Sequence, residues 1–154
     1  MKDHEIVAQY YDGNPQLEWD RLARSGPLRP EFVLSARYLE RYIRPGDRVL
    51  DLGGGPGRYS LHLAQMGCAV TLADLSAGNV RFAAEKARQM GLPLRALQAN
   101  ALDVKALEGE RFDHVLCMGP LYHLLKHEER VLCITNALRL LRPGGCLFAA
   151  FIQH

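Results

Sequence analysis

Val49-Leu-Asp51-Leu-Gly53-Gly-Gly55-Pro-Gly57-Arg58-Tyr59 is the stretch of sequence that decides the fold of this chain. An apolar run that contains one acid breaks into four glycines within five positions, and apolar residues then recur at helical spacing. This pattern predicts a buried strand, a tight turn and the start of a helix. Ligands of open α/β sheets bind in such turns, at the carboxyl ends of the strands. The turn therefore marks the predicted ligand site.

Strands and helices alternate from this stretch onward. Apolar runs predict strands at 49–52, 69–73, 95–98, 114–118 and 146–152, helices at 57–66, 76–90 and 128–141, and a short helical turn at 104–107. This alternation is typical of a doubly wound parallel α/β sheet, with a switch point where strand 4 is placed beside strand 1. Arg142-Pro143-Gly144-Gly145 is expected to end the last helix. Its predicted inward residues are Val131, Leu132, Ile134, Ala137, Leu138 and Leu141.

Residues 1–44 read as a helical segment that precedes the α/β part, 45–154, within the same domain. Helical spacing and the breaks at Gly13-Asn14-Pro15 and Ser25-Gly26-Pro27 predict three short helices. The residues expected to pack in them are Ile6, Val7, Tyr10 and Tyr11, then Trp19 and Leu22, then Phe32 or Val33, Ala36, Leu39 and Ile43.

The composition excludes several classes of protein. The 154 residues are 48% hydrophobic and 23% charged, as expected for one globular domain. A net charge of +2 without a basic run gives no reason to expect nucleic acid as a partner. No apolar stretch approaches the ~20 residues of a membrane-spanning helix, and the N-terminus has no apolar signal core. Widely spaced cysteines predict reduced thiols in a cytoplasmic protein, and neither Cys nor His shows a metal-ligand spacing.

Three kinds of ligand compete for the glycine turn. A nucleoside triphosphate requires Gly-x-x-x-x-Gly-Lys-Ser/Thr, whereas Arg58-Tyr59 follows the last glycine here. A dinucleotide prefers Gly-x-Gly-x-x-Gly, whose third glycine position is Arg58 in this chain. Asp51 would repel a pyrophosphate, since unit charges about 4 Å apart interact by ~4 kcal/mol at an effective dielectric near 20. The turn therefore favours a ligand with a positive group and no phosphate.

A second acid defines the rest of the ligand. Asp74 ends the second predicted strand, 23 positions after Asp51. An acid about 20 residues beyond such a turn is placed to accept hydrogen bonds from ribose hydroxyls. Together the two acids indicate a nucleoside with a cationic amino-acid tail, which describes S-adenosylmethionine.

Four motifs in order resemble the class I S-adenosylmethionine-dependent methyltransferases, in particular the small-molecule branch akin to the ubiquinone/menaquinone-biosynthesis methyltransferases. The motifs are Val49-Leu-Asp51-Leu-Gly53-Gly-Gly55-Pro-Gly57, Val70-Thr-Leu-Ala-Asp74-Leu-Ser76, Phe112-Asp113-His-Val-Leu-Cys-Met118-Gly119 and Leu141-Arg-Pro143-Gly144-Gly145. The resemblance covers about residues 45–154. It implies a Rossmann-like methyltransferase fold and methyl transfer to a small-molecule acceptor.

The resemblance also implies roles for individual residues. Gly53, Gly54, Gly55 and Gly57 would let the backbone approach the methionyl group of the cofactor, and Asp51 would contact its ammonium. Asp74 would hold the ribose diol, with Leu75 beside the adenine. Asn100 and Ala101 stand where the family usually has an acid and a small residue facing the adenine amine, and an amide oxygen can accept from that amine. Met118 and Gly119 would contact the methionine end, and Tyr11, with Tyr10 beside it, would form a lid.

Each of these assignments has a plainer alternative. Asp51 could cap the following turn, and Asp74 could cap the following helix. Tyr122 and His123 follow strand 4 on the ligand side, where His123 is a candidate general base, yet a histidine packed at a helix start is the more ordinary reading there. Tyr10 and Tyr11 could be core aromatics.

Strand 5 is predicted at the edge of the sheet. The family normally continues with a sixth and a seventh strand, so we expect either a truncated chain or a partner that covers this apolar edge, for example a second copy in a homodimer. The alternative function is a cofactor-binding fragment or module without turnover, and a dehydrogenase is a distant third.

Overall fold

The computed structural model describes residues 3–23 and 29–151. The helices are α1 (Asp3–Asp12), α2 (Pro15–Ala23), α3 (Arg29–Leu39), α4 (Arg58–Gln65), α5 (Ala77–Gln89), α6 (Pro120–His123) and α7 (His127–Arg139). The strands are β1 (Arg48–Leu52), β2 (Ala69–Asp74), β3 (Arg95–Gln98), β4 (Phe112–Cys117) and β5 (Leu141–Ala149), and a 3-10 turn spans Lys105–Leu107. The alternation predicted from the sequence is confirmed.

The strands form one parallel sheet in the order β3-β2-β1-β4-β5. The central strand β1 pairs with β2 on one side and with β4 on the other. From β1 the sheet grows first on one side, with β2 and β3, and then on the other side, with β4 and β5. The predicted switch point therefore lies at β1, and the glycine turn (53–57) follows this strand. In doubly wound sheets a crevice opens at this position, because the connections on its two sides run to opposite faces.

The three central strands, β1, β2 and β4, are buried on both faces, which explains why they are mostly apolar. Successive side chains of β1 point to opposite faces. Val49 packs with Leu39, Ile43 and Leu63 in one cluster, and Leu50 and Leu52 pack with Val115 and Leu107 in the other. The central strand is thus held from both sides, and the turn that follows it starts from a fixed position.

Local sequence signals set the helix ends next to this crevice. Ser76 caps α5, and its Oγ accepts a hydrogen bond from the backbone N–H of Asn79 at 3.0 Å. Gly67 and Gly91 follow the ends of α4 and α5 with φ of +93° and +66°, a conformation that glycine adopts without strain. The helices predicted at 57–66 and 76–90 therefore begin and end within about one residue of their expected bounds.

The predicted inward face of α7 is correct for Ile134 and Ala137, which pack in buried clusters, and wrong for Val131, Leu132 and Leu138. Val131, Leu132 and Leu138 are exposed by 50%, 44% and 52%, whereas Cys133 and Ala137 are fully buried. The helical period was read correctly, but large apolar residues occur on both sides of this helix. The small side chains of Cys133 and Ala137 let the helix lie close to the sheet, so packing rather than side-chain size selects the buried face.

The last strand also departs from its predicted bounds. β5 begins at Leu141 instead of Cys146, so the Pro143-Gly144-Gly145 segment lies within the strand instead of before it. The pairing register shifts opposite Phe112 and His114, an irregularity that accommodates the extra residues. β5 lies at the sheet edge as predicted, where a proline can be tolerated. The strand ends at Ala149, and the predicted terminus at 152 lies outside the described residues.

Candidate cofactor and acceptor site

A cavity of about 1240 Å³ opens at the carboxyl ends of β1, β2 and β4. With the exception of Gly57, it brings together the site residues predicted from the sequence. They are Tyr11, Asp51, Gly53, Gly54, Gly55, Asp74, Leu75, Asn100, Ala101, Met118, Gly119, Tyr122 and His123. The crevice at the switch point is therefore one continuous site.

Asp51 supplies a buried carboxylate at the end of β1. Only 1% of the residue is exposed, and its Oδ2 accepts a hydrogen bond from the Ser60 hydroxyl at 2.7 Å. Burial raises the pKa of Asp51 to about 6, although the Ser60 hydrogen bond opposes this rise. A desolvated carboxylate in a cavity wall attracts a cation strongly, because little water screens the interaction.

The glycine turn is packed tightly against the segment that follows β4. Gly53 has a φ of +72°, and a Cβ added to it would lie 2.3 Å from Cγ of Pro120. A Cβ on Gly119 would lie 3.0 Å from the carbonyl oxygen of Gly53. The two turns that were predicted to bind the cofactor separately therefore touch each other and form one wall.

Two other glycines serve packing. A Cβ on Gly54 would come within 2.7 Å of the Asp51 carboxylate, so this glycine leaves room for the acid. Gly57 does not line the cavity. It precedes α4 with a φ of +90°, and its missing Cβ would lie 3.0 Å from Cβ of Ala83 in α5. Gly57 therefore allows α5 to approach, and its predicted contact with the cofactor stays a prediction.

Asp74 lies at the end of β2 and holds the glycine turn in place. Its carboxylate accepts hydrogen bonds from the backbone N–H of Gly55 at 2.8 Å and of Ser76 at 2.9 Å, and from Nδ2 of Asn79 at 3.2 Å. Burial raises the pKa of Asp74, and these hydrogen bonds oppose the rise. Ser76, rather than Asp74, caps α5. Asp74 lines the cavity, where its remaining lone pairs can accept further hydrogen bonds.

Asn100 and Ala101 form the wall beyond β3. Oδ1 of Asn100 accepts a hydrogen bond from the backbone N–H of Leu102 at 2.9 Å, and the carbonyl of Ala101 accepts one from Asn136 at 3.0 Å. Part of the acceptor capacity predicted for Asn100 is thus used within the protein. A second lone pair stays on the amide oxygen.

The N-terminal helices cover the site, and Asp12 at the end of α1 attaches them to α5. Its carboxylate accepts hydrogen bonds from the hydroxyl of Ser76 at 2.6 Å and from the backbone N–H of Gly78 at 2.9 Å, and these contacts lower the pKa of Asp12. A Cβ on Gly78 would lie 2.6 Å from the carbonyl oxygen of Asp12. This contact was not predicted, because nothing local pairs an acid at position 12 with a helix that begins more than 60 residues later.

The same end of α1 places Tyr11 over the cavity. Its hydroxyl lies 3.0 Å from Nε2 of His123, and the ring centres are 5.5 Å apart. Burial is the main cause that raises the pKa of Tyr11 to about 12, and it lowers the pKa of His123. Both groups are therefore neutral at pH 7. Tyr10, at 66% exposure, is neither a core residue nor part of the cavity wall.

Sequence reasoning also missed three charged residues of the wall in the N-terminal helices. Arg21 of α2 forms ion pairs with Glu18 at 2.7 Å and with Glu31 of α3 at 3.1 Å. Alternating charges in polar helices are common on solvated surfaces, so no local signal marked these residues as part of a site. They join α2 to α3 at the edge of the cavity.

Neither a metal centre nor a membrane span was found in the described part of the chain. Residues 3–23 and 29–151 contain no group of three or more His, Cys, Asp or Glu residues that could hold a metal ion. None of the described helices has the length and apolar character needed to cross a membrane.

The parallel sheet, the glycine turn and the two buried acids define a Rossmann-like nucleotide-type site. A methyltransferase-domain family matches residues 49–145, from the start of β1 through the Pro143-Gly144-Gly145 segment. The chain belongs to this methyltransferase family.

Individual relatives agree with this assignment. A ubiquinone biosynthesis O-methyltransferase from Agrobacterium fabrum is 34% identical in an alignment 151 residues long that covers 92% of this chain and 58% of the relative. The chain thus spans less than two thirds of that relative's length. The solved structure of coclaurine N-methyltransferase bound to N-methylheliamine and SAH is 27% identical, with a TM-score of 0.69 over 81% of this chain and 37% of that one. The cyclase SpnF is 25% identical, with a TM-score of 0.78 over 93% of this chain and 58% of its own.

Proposed function

We propose that this chain binds S-adenosylmethionine and acts, within a protein of its family, as a methyltransferase for a small-molecule acceptor. The observation that carries the proposal is the pair of buried carboxylates, Asp51 and Asp74, in the wall of one cavity at the switch point. A cationic amino-acid tail suits the first carboxylate, and a ribose diol suits the second. Both groups occur in S-adenosylmethionine.

The cofactor would lie across the ends of the strands. Gly53 and Gly55 would bring backbone close to the methionyl group, with Met118 and Gly119 beside them in the same wall. Leu75, Asn100 and Ala101 would enclose the adenine. Tyr11 and the helices α1–α3 would cover the cofactor and contribute to the acceptor half of the cavity. This lid assignment rests on the contacts of Asp12 and Tyr11 described above.

The transfer itself requires little covalent help from the protein. A lone pair of the acceptor forms a bond to the methyl carbon, the carbon–sulfur bond breaks, and its electrons leave on sulfur to give a neutral thioether. Alignment and exclusion of water are then the main contributions of the site. For an acceptor that loses a proton, His123 would take it at Nε2 after the Tyr11 hydroxyl has moved aside.

Calorimetry with S-adenosylmethionine, and with its demethylated product S-adenosylhomocysteine, tests the cofactor directly. We expect heat of binding and an increased melting temperature with either ligand, because both bind the folded state only. Neither signal at millimolar ligand would refute the cofactor proposal.

Asp74→Ala is expected to weaken S-adenosylhomocysteine binding at least tenfold, because the ribose diol loses a charged acceptor. Asp74 also holds the glycine turn, so loss of affinity by itself does not assign the role. We therefore compare the ligand with its 2′-deoxyribose counterpart. The wild type should prefer the ribose form, and the variant should bind both forms about equally. If the variant loses the same affinity for both ligands, Asp74 only stabilises the glycine turn and does not bind the ribose.

The imidazole of His123 is expected to titrate below the ~6.5 of an unperturbed histidine, because burial disfavours its charged form. It is then neutral at pH 7 and becomes protonated only as the pH falls further, so a proton acceptor is available at neutral pH. An NMR titration measures this value, and His123→Gln identifies the signal. A value above 6.5 would contradict the base role.

The alternative function is a cofactor-binding module without turnover. The likeness to the cyclase SpnF supports keeping it, since a protein with this fold is named for another reaction. Cofactor binding without methylation of any tested acceptor, with activity gained in a longer chain, would favour this alternative. A cytoplasmic location and the absence of a nucleic-acid partner are further proposals, based on composition.

A homodimer through the β5 edge also stays a proposal. Leu34, Tyr38 and Tyr42 are exposed beside Phe148 of β5, which gives this edge an apolar border. Light scattering tests it, and a monomer at high protein concentration would count against it.

A further inference from the structure

We propose that Arg58 binds the carboxylate of the cofactor's amino-acid end and, through Trp19, couples this contact to α2. The inference rests on the proposed cofactor and extends it, because the sequence assigned Arg58 no ligand. Asp51 and Arg58 would then hold the ammonium and the carboxylate of the same amino-acid group from the two ends of the glycine turn.

The position of Arg58 is the first observation. It is the first residue of α4, directly after the turn that backs the amino-acid end of the ligand, and it lines the cavity. An α-amino acid group carries one negative and one positive charge. Asp51 satisfies the positive charge, so the same turn needs a cation nearby for the negative one.

The second observation is that Arg58 has unused hydrogen-bonding capacity. Its Nε is buried without a hydrogen-bond partner, and among the described acids only Asp20 acts on its charge, as a coulombic neighbour without a hydrogen bond. Leaving a buried donor unpaired is unfavourable, and a bound anion can offset this cost. A guanidinium also matches a planar carboxylate in geometry.

The other cations of the described cavity wall are less suitable. Arg21 is already neutralised by Glu18 and Glu31. Lys126 is exposed and lies in the segment between α6 and α7 instead of next to the glycine turn in the chain. Arg58 thus combines the required position with an unpaired charge.

The third observation links Arg58 to the N-terminal helices. Its guanidinium carbon lies 4.0 Å from the centre of the Trp19 ring in α2 and 5.7 Å from that of Phe32 in α3. Stacking on an aromatic face fixes the plane of the guanidinium while leaving its edge free for an anion. Trp19 is therefore a positioning residue, and a bound carboxylate would stabilise the covered form of the site.

The test compares two ligands that differ only in the carboxylate: S-adenosylhomocysteine and its decarboxylated analogue, 5′-deoxy-5′-(3-aminopropylthio)adenosine. The wild type should bind the first at least tenfold more tightly by calorimetry. Arg58→Met, which keeps a long apolar side chain, should lose this preference by weakening only the carboxylate ligand. Arg58→Lys should restore part of it. Trp19→Leu should reduce the preference less than Arg58→Met does.

Unchanged binding of the decarboxylated analogue also verifies that each variant is folded. Arg88→Met, a surface arginine paired with Glu85, is the matched control and should leave both affinities unchanged. If Arg58→Met keeps the preference, weakens both ligands equally, or is matched by Arg21→Met, the proposal is overturned. Failure of the wild type to bind either ligand would instead refute the cofactor proposal.

Discussion

Asp51→Asn is expected to weaken S-adenosylmethionine binding at least tenfold at pH 7.5 and, at the same time, to stabilise the empty protein. The carboxylate would contact the ligand's ammonium in a site with little water, so its neutral amide loses most of that attraction. In the protein without ligand, the same buried charge destabilises the folded state. A rise of the pKa from 3.8 to about 6 corresponds to roughly 3 kcal/mol of unfavourable burial at neutral pH.

The pH dependence gives the sign of this effect. The folded protein holds a proton on Asp51 up to about pH 6, whereas the unfolded chain releases it near 3.8. Stability from this group is therefore fully present below pH 3.8 and is lost as the pH rises through about 6. The amide is also desolvated, so we expect a gain of about 1–2 kcal/mol at pH 7.5. Urea unfolding at several pH values measures it.

Ligand binding should show the opposite trend. The affinity of the wild type should fall as the pH drops through about 6, when Asp51 becomes protonated, and that of the variant should depend less on pH in this range. Asp113→Asn is a suitable control, because hydrogen bonds from Arg48 and Arg142 lower the pKa of this carboxyl. Its loss should destabilise the protein and leave the affinity unchanged. An Asp51→Asn variant that is less stable at every pH, or binds normally, would contradict the prediction.

The sequence predicted those features that depend on local pattern. The strand from Val49 to Leu52 and the turn after it could be predicted, because the apolar run, the glycines and the start of the helix are contiguous in the sequence. The topology followed from general rules for parallel sheets, and with it the meeting of Asp51 and Asp74 at one edge.

Features that depend on tertiary packing could not be predicted from the sequence. The buried face of α7 was predicted only in part, because large apolar residues occur around the whole helix and the close approach of Cys133 and Ala137 to the sheet selects the buried side. The contact of Asp12 with α5 joins segments more than 60 residues apart. From the sequence, Arg58 could be used only to exclude phosphate ligands. Its stacking on Trp19 becomes visible only in the folded chain.

The contact between Gly53 and Pro120 also depends on tertiary packing. It leads to the prediction with the largest effect on stability. Gly53→Ala should destabilise the protein by about 3 kcal/mol or more. About 1–2 kcal/mol arises because alanine is strained at a φ of +72°, and overpacking adds about 1–3 kcal/mol since the new Cβ would lie 2.3 Å from a proline ring that has little freedom to move. Urea unfolding measures the loss.

Gly109→Ala separates the two causes, because Gly109 has a similar φ of +82° but no atom within 4 Å of its added Cβ. It should lose only the strain of about 1–2 kcal/mol and bind S-adenosylmethionine normally. Gly53→Ala should also weaken binding at least tenfold, because relief of the clash moves the turn after β1 away from Met118 and Gly119, and the cofactor is proposed to contact both parts of this wall. Equal destabilisation by the two variants would mean that the turn yields easily, and normal binding by Gly53→Ala would mean that the joint wall is not needed for the ligand.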